Sequence, residues 1–395
     1  MHSFLNVLLA VPAVLAVATI DRRQTADTIP GSWIARLENG GVLSTVLSGL
    51  RTSAGPVQAK HQYNIGSFKA FAFDGDDSLV DLIANLAQVK SIEPDRKVYA
   101  SAPVSINSRA LVQQSPAEYG LARISHRAKG SSNYIHDNTA GSGSTVYVID
   151  TGVYTQHSEF GGRATAGANF ISGESAADGN GHGTHCAGTI AGSTYGVAKR
   201  ANIIGVKVLG SDGSGTNSGV LAGIDWAVNN ARNNNRIGRS VISMSLTGGF
   251  SQATNDAVAQ AVSAGIFVAV AAGNNGRDAS AYSPASEPTA FTVGASDSND
   301  ARASFSNFGR FLDIFAPGVN TKSAWIGSTT STNTISGTSM ATPHVAGVAA
   351  YLIGLEGTRT PAALGSRIQS LSTKNVITSA GSGSINNLLY NGNGA

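Results

Sequence analysis

The chain has 395 residues, a net charge of +3 and only 13% charged residues. So small a charge gives no argument for binding to nucleic acid or to a membrane surface. A 42% hydrophobic content with 47 glycines describes a folded, loop-rich globular protein and excludes a disordered one, and the single cysteine excludes an intrachain disulfide.

The length allows one large and one small domain. Residues Phe4 to Ile20 are apolar and contain Ala16-Val17-Ala18, a small-residue cleavage pattern. Residues 1–18 therefore read as a secretory signal, although no basic residue precedes the run. A signal anchor is the alternative, but the run is short for a membrane span. Residues 19–109 carry charged clusters such as Asp74-Gly75-Asp76-Asp77. Strand alternation at Tyr63–Ile65 and Phe68–Phe73, and helical spacing of Leu79, Leu82, Ile83 and Leu86, predict a small α+β unit. From Ser144 onward predicted strands and helices alternate. The strands are Val146–Asp150, Ile203–Leu209, Val241–Leu246, Ile266–Ala271 and Phe291–Val293. The helices are His182–Ala191, Ser218–Asn230, Gln252–Ser263 and Thr338–Leu352. This order predicts an α/β fold of three layers, with a mostly parallel sheet between helices. Asn229 to Arg239 reads as a solvated loop. Pro343 falls in the first turns of the last helix, where a missing N–H is tolerated.

Three segments carry chemistry. Val146-Tyr147-Val148-Ile149-Asp150 is a β-branched strand ending in an aspartate, and strand ends are where sites form in open parallel sheets. An ordinary turn aspartate is the bland reading. In Gly181-His182-Gly183-Thr184-His185-Cys186 a histidine sits between glycines at a helix start. A metal cluster of His182, His185 and Cys186 is the alternative, but no partner motif follows. In Gly337-Thr338-Ser339-Met340-Ala341-Thr342-Pro343 a glycine-hinged turn places Ser339 at the tip of an apolar helix, beside free N–H groups. An N-cap serine is the bland reading. Together, in the order Asp150, His182, Ser339, they suit an acid that orients a histidine, a histidine that takes a proton, and a serine nucleophile. An esterase elbow G-x-S-x-G is absent, because Ala341 replaces the second glycine.

With these motifs the chain resembles the subtilisin-like serine proteases (subtilases), in their fungal secreted branch of proteinase K and oryzin. The likeness runs from about Ala110 to the end and includes Ser283-Pro284-Ala285-Ser286-Glu287-Pro288 and Ala303 to Gly309. It implies that residues 110–395 form the catalytic domain. It also implies that residues 19–109, with Ile92-Glu93-Pro94-Asp95 near their end, form a ferredoxin-like propeptide, a folding chaperone and inhibitor removed by self-cleavage near Ala110. The resemblance adds Asn274 as an oxyanion donor beside the Ser339 N–H.

It further implies an extended peptide substrate held between Gly213-Ser214-Gly215 and Ser245-Leu246-Thr247-Gly248, with a primary pocket also walled by Ala271, Ala272, Gly273 and Asn274. No acidic residue lies in those segments, which argues for broad apolar or aromatic preference and against a strict preference for Arg or Lys. Thr247 replaces a glycine of close relatives, and Asn217 a tyrosine of proteinase K, so a narrower primary pocket and a more open outer subsite are expected. One structural calcium is implied, with Asp313 and the carbonyls of Pro288 and Ala290 as ligands. A second calcium site has no matching aspartate in Lys374 to Thr378. Cys186 matches a buried free cysteine of the family. The expected protein is a secreted, extracellular, monomeric endopeptidase of broad specificity. It would be made as a zymogen, with no cofactor for catalysis and with protein substrates and its own propeptide as partners.

Overall fold

The structure is a computed structural model that describes residues 18–22, 28–52, 55–65, 68–96 and 111–394. The predicted leader up to residue 17 and the predicted junction at Arg109–Ala110 lie outside the described residues. The chain divides into two compact units, Met1–Asn107 and Ser108–Ala395.

The first unit runs strand Thr28–Leu37, helix Leu43–Gly49, strands Ala59–Ile65 and Phe68–Asp74, helix Asp77–Ala84 and strand Val89–Arg96. In the sheet these four strands lie in the order fourth, first, third, second, with a two-residue edge strand Thr19–Ile20 beside the fourth. That β-α-β-β-α-β arrangement is the ferredoxin-like fold that the family resemblance implied for this α+β unit. Asp76 caps the second helix by accepting the Leu79 N–H at 3.0 Å. Val80 and Ile83 on its buried face pack with Trp33, Phe71 and Phe73 of the sheet.

The second unit is built on a nine-stranded sheet. Its principal elements in chain order are β1 (Thr145–Asp150), β2 (Ala164–Asn169), α1 (His182–Ala191), β3 (Asn202–Lys207), α2 (Asn217–Asn233), β4 (Ser240–Met244), α3 (Gln252–Ser263), β5 (Phe267–Ala271), β6 (Phe291–Ser296), β7 (Leu312–Pro317), α4 (Thr338–Glu356), α5 (Pro361–Leu371), β8 (Thr373–Lys374) and β9 (Asn387–Leu388). The sheet order is β2-β3-β1-β4-β5-β6-β7-β9-β8, parallel except for the last pair. Alternation along β1 sends Val146 and Val148 into a core with α1 and α4, and Tyr147 and Ile149 into a core with α2 and α3. The three layers follow from that two-sided burial. After β1 the chain adds β2 and β3 on one side and then crosses over to add β4 on the other, so Asp150 ends the strand at the switch point, where crevices form.

Several expectations shift. The strands read as Ile203–Leu209 and Val241–Leu246 end at Lys207 and Met244. After Lys207 the chain bends, and the Val208 and Leu209 N–H groups both turn onto the Asp150 carbonyl at 2.9 and 3.2 Å. Helix α2 runs to Asn233, so the first part of the stretch read as a solvated loop is helical. Asn229 donates to Asp225 and Arg232 donates to Asn229 along that face. Helix α4 continues to Glu356. Strands β2, β7, β8 and β9 and helix α5 had no counterpart among the predicted elements. Asp313 breaks the apolar pattern of β7, while the α5 signal, Thr360 as cap with Pro361 at the first turn, was present in the sequence.

Candidate active site

Asp150 is completely buried at the end of β1, and its Oδ1 accepts from Thr151 N at 2.7 Å and from His182 Nδ1 at 2.8 Å. His182 opens α1 with about a quarter of its side chain exposed. Its glycine neighbours have a steric cause. Gly181 sits at φ 107°, and a Cβ on Gly183 would lie 2.1 Å from the Gly152 carbonyl oxygen. The histidine helix can therefore approach the β1 turn closely enough for the 2.8 Å contact. Burial alone would lower the His182 pKa, but the charge and hydrogen bond of Asp150, with the charge of Asp178 behind, outweigh it and raise the pKa.

Ser339 is the second residue of α4, so its N–H has no acceptor within the helix. Its hydroxyl donates to the Ser245 carbonyl at 3.1 Å. Among the described residues no hydrogen bond joins it to His182. Cys186 ties the two helices together: its thiol donates to the Ser339 carbonyl at 3.4 Å, and its sulfur lies within 4.8 Å of ligand atoms of both Asp150 and His182. Burial pushes that thiol well above its ordinary pKa. His185 is not in this group. Its Nε2 meets the Thr321 carbonyl, and burial pushes its pKa down to about 4.

Pro343 corrects the sequence reading. It is the sixth residue of α4, beyond the four N–H groups that lack partners, so its missing N–H costs the bond that would reach the Ser339 carbonyl. That freed carbonyl instead accepts from Ser245 Oγ at 2.9 Å and from Cys186. The proline is accommodated by two side chains from other elements, and it leaves the backbone of Ser339 held by the sheet and by α1.

Asn274 is exposed at the turn after β5. Its Oδ1 accepts from Thr338 N at 2.9 Å and Thr338 Oγ1 at 2.8 Å. A backbone N–H can only donate, so the amide oxygen must face Thr338, and Nδ2 points away toward the Gly337 turn. Two donors one residue before Ser339 thus fix the orientation of the amide.

A cavity of about 420 Å³ is lined by His182, Gly213, Ser214, Gly215, Asn217, Ser245, Leu246, Thr247 and Gly248, among others. The two segments predicted to hold a peptide face each other across it. None of Ala271, Ala272, Gly273 and Asn274, expected to wall the primary pocket, is among its lining residues, and the first three are buried. A Cβ on Gly273 would lie 3.1 Å from Thr247 Cγ2, so the threonine methyl reaches across to that segment.

Asp313 lies on β7. Its Oδ2 accepts from Thr292 N at 2.8 Å and its Oδ1 from Gln369 at 3.2 Å. Among the described residues no cationic side chain pairs with it, and burial pushes its pKa up to about 7. A sheltered carboxylate that lacks a positive partner fits a hard cation, and Thr292 lies two residues beyond Ala290.

Sequence reasoning missed Asp178. This buried carboxylate accepts from Thr151 Oγ1, from the N–H groups of Asn180, Gly181 and Thr184, and from Thr184 Oγ1. It locks the start of α1 to the β1 turn. An acid shortly before the first helical residue was the available signal.

This fold, with a buried carboxylate, a largely buried imidazole and a helix-tip hydroxyl, defines a serine endopeptidase. The chain belongs to the subtilase family, whose model matches residues 141–392. It is 51% identical to Subtilisin-like protease 2 of Pseudogymnoascus destructans, covering 99% of this chain and 97% of that one. It is 48% identical to the alkaline serine protease ver112 of Corniculantispora psalliotae, covering 95% and 94%. To the cuticle-degrading protease of Metarhizium anisopliae it is 46% identical, covering 98% of each. Among solved structures it is similar to a cold-adapted subtilisin-like serine proteinase, with a TM-score of 0.66 and 48% identity over 70% of this chain and 99% of that one.

Proposed function

We propose that the chain is a secreted, extracellular zymogen whose mature form cuts proteins at broad sites through an acyl-enzyme at Ser339. His182 Nε2 takes the proton of the Ser339 hydroxyl as the oxygen attacks the scissile carbonyl. Asp150 keeps the Nδ1 proton in place and offsets the imidazolium charge. Asn274 Nδ2 and the Ser339 N–H receive the oxyanion. His182 returns the proton to the leaving amine, and water releases the acyl group by the same steps. The observation that carries this reading is the 2.8 Å contact between Asp150 Oδ1 and His182 Nδ1, which leaves Nε2 as the free basic nitrogen.

The substrate lies extended between Gly213–Gly215 and Ser245–Gly248, pairing with their main chains. Thr247, close against Gly273, narrows the primary pocket, and Asn217 opens the outer subsite. The absence of acidic residues from these segments favours apolar and aromatic side chains. Residues 19–109 act as an inhibitor and folding aid until cleavage near Ala110. Asp313, with the Pro288 and Ala290 carbonyls, would hold a calcium ion that compensates the carboxylate and ties the loop before β6 to β7. Catalysis itself needs no cofactor, and the mature enzyme acts as a monomer.

Cleavage of casein by the secreted protein should be blocked by phenylmethylsulfonyl fluoride. Ser339→Ala should abolish it and accumulate as an uncut chain of full length. Wild-type turnover that survives the reagent, or a variant that still matures, would overturn the proposal.

A further inference from the structure

Lys207 is a fully buried charge at the end of β3, paired in register with Asp150. Its ammonium donates to the Thr151 carbonyl at 2.8 Å and the Leu209 carbonyl at 2.9 Å, and it meets Glu174 Oε2 at 3.1 Å. A buried ammonium is stable only where carbonyls and a counter-charge take its protons, and here Glu174 is the counter-charge.

Glu174 has a second task. Its two oxygens accept from Ser211 N at 3.0 and 3.1 Å and from Ser211 Oγ at 3.1 Å. The Ser211 bond, and then Lys207, hold the carboxyl below its ordinary range, so it stays ionised at neutral and alkaline pH. Ser211 belongs to an exposed turn closed by Gly210 N to Ser214 O at 2.7 Å and Gly213 N to Gly210 O at 2.9 Å. That turn delivers Gly213, Ser214 and Gly215 to the cleft. On its other side the Ser211 carbonyl accepts from Asn180 Nδ2 at 3.0 Å, and Asn180 Oδ1 accepts the His182 N–H at 3.3 Å. The same contacts run from beneath Asp150, through Lys207, Glu174 and Ser211, to the histidine loop.

We propose that Glu174, anchored by Lys207, is a positioning residue that sets the height of the Gly213–Gly215 edge and so the affinity for substrate residues upstream of the scissile bond. It rests on the reading of that edge as a peptide-binding strand. Within the turn, the Asp212 carboxylate accepts from Ser214 N and Oγ, and a Leu209–Gly215 bridge closes its base. Glu174 adds the charged tie from this turn to a buried lysine beneath it, and so helps set the main chain at hydrogen-bonding distance from an extended peptide. Glu174 touches neither the reacting atoms nor the cavity lining.

The test compares acyl-peptide anilides with one to four residues upstream of the cut, on wild type and on Glu174→Gln, with thermal unfolding as a check on folding. The amide keeps an acceptor for Ser211 but loses the ion pair. The expected result is a KM that rises with substrate length, by about fivefold to tenfold for the longest, while kcat for the shortest is unchanged. Ser211→Ala, which removes only the hydroxyl contact, should move KM the same way by a smaller factor and serves if the first variant does not fold. A uniform fall in kcat at every length, or no length dependence, overturns the proposal. Wild type that gains nothing from added residues sinks the peptide-edge reading and the proposal together. Wild type that gains while both variants gain equally sinks the proposal alone.

Discussion

Replacing Asp150 with asparagine is the most exacting test of the site. Asp150 Oδ1 faces two donors, Thr151 N at 2.7 Å and His182 Nδ1 at 2.8 Å. The Thr151 N–H can only donate, so the new side chain must keep its oxygen there. Its NH₂ then falls where Oδ2 now lies, buried and without a hydrogen-bond partner among the described residues. An unmade buried donor costs about 1–3 kcal/mol, which lowers the unfolding midpoint by roughly 2–5 °C for a unit of this size. The histidine keeps its tautomer and loses only the neighbouring charge. The expected loss in kcat is therefore between roughly 10² and 10⁴, the upper figure being the loss when the tautomer is lost as well.

The pH profile carries the sign. Burial depresses the His182 pKa and Asp150 raises it, so removing the charge lets the pKa fall. The acid limb of kcat/KM should move to lower pH. A raised folded pKa contributes stability that is present below the unfolded value and is lost as pH rises through the folded one. The deficit of the variant should therefore be larger at acid than at alkaline pH. Rates on a peptide anilide between pH 5 and 10, with melting curves alongside, decide the matter. A variant that keeps a tenth of the activity, or whose acid limb stays in place, refutes the reasoning.

Asn274→Ala should lower kcat by roughly 10²–10³ with KM little changed, the magnitude known for the oxyanion asparagine of subtilisin, itself a member of the family. Equal losses in binding and turnover would show that the amide holds substrate and not the oxyanion. Asp313→Asn tests the calcium proposal by stability. A carboxyl whose folded pKa is raised to about 7 costs stability as pH climbs from its unfolded value toward 7. With chelator, the variant should therefore be more stable than wild type above pH 7, with the gap closing toward pH 4. With calcium added, the wild type should overtake it. A wild type whose melting is indifferent to calcium would end that assignment.

The chemistry-bearing positions were legible because each rests on a local feature. Asp150 ends a β-branched run, His182 sits among glycines at a helix start, and Ser339 follows a glycine at the tip of an apolar helix. Alternating strand and helix patterns likewise announced a parallel sheet, since burial on both faces leaves apolar runs in its central strands. Other elements carry weaker local marks: β2 is half exposed, Asp313 interrupts β7, β8 and β9 are two residues each, and α5 opens on a brief Thr360-Pro361 signal.

Other features have no local mark. Lys207 looks like any strand-end lysine, and only the register of β3 against β1 carries it beneath Asp150. Pro343 resembles a helix-start proline until Ser245, 94 residues from Ser339 in sequence, is found on the carbonyl it frees. Thr247 gains meaning only from the approach of Gly273. Local propensity and periodicity decide which residues form an element and which face is buried. Which polar groups then meet across the switch point depends on strand order and crossover, and these are settled when the whole sheet closes its core.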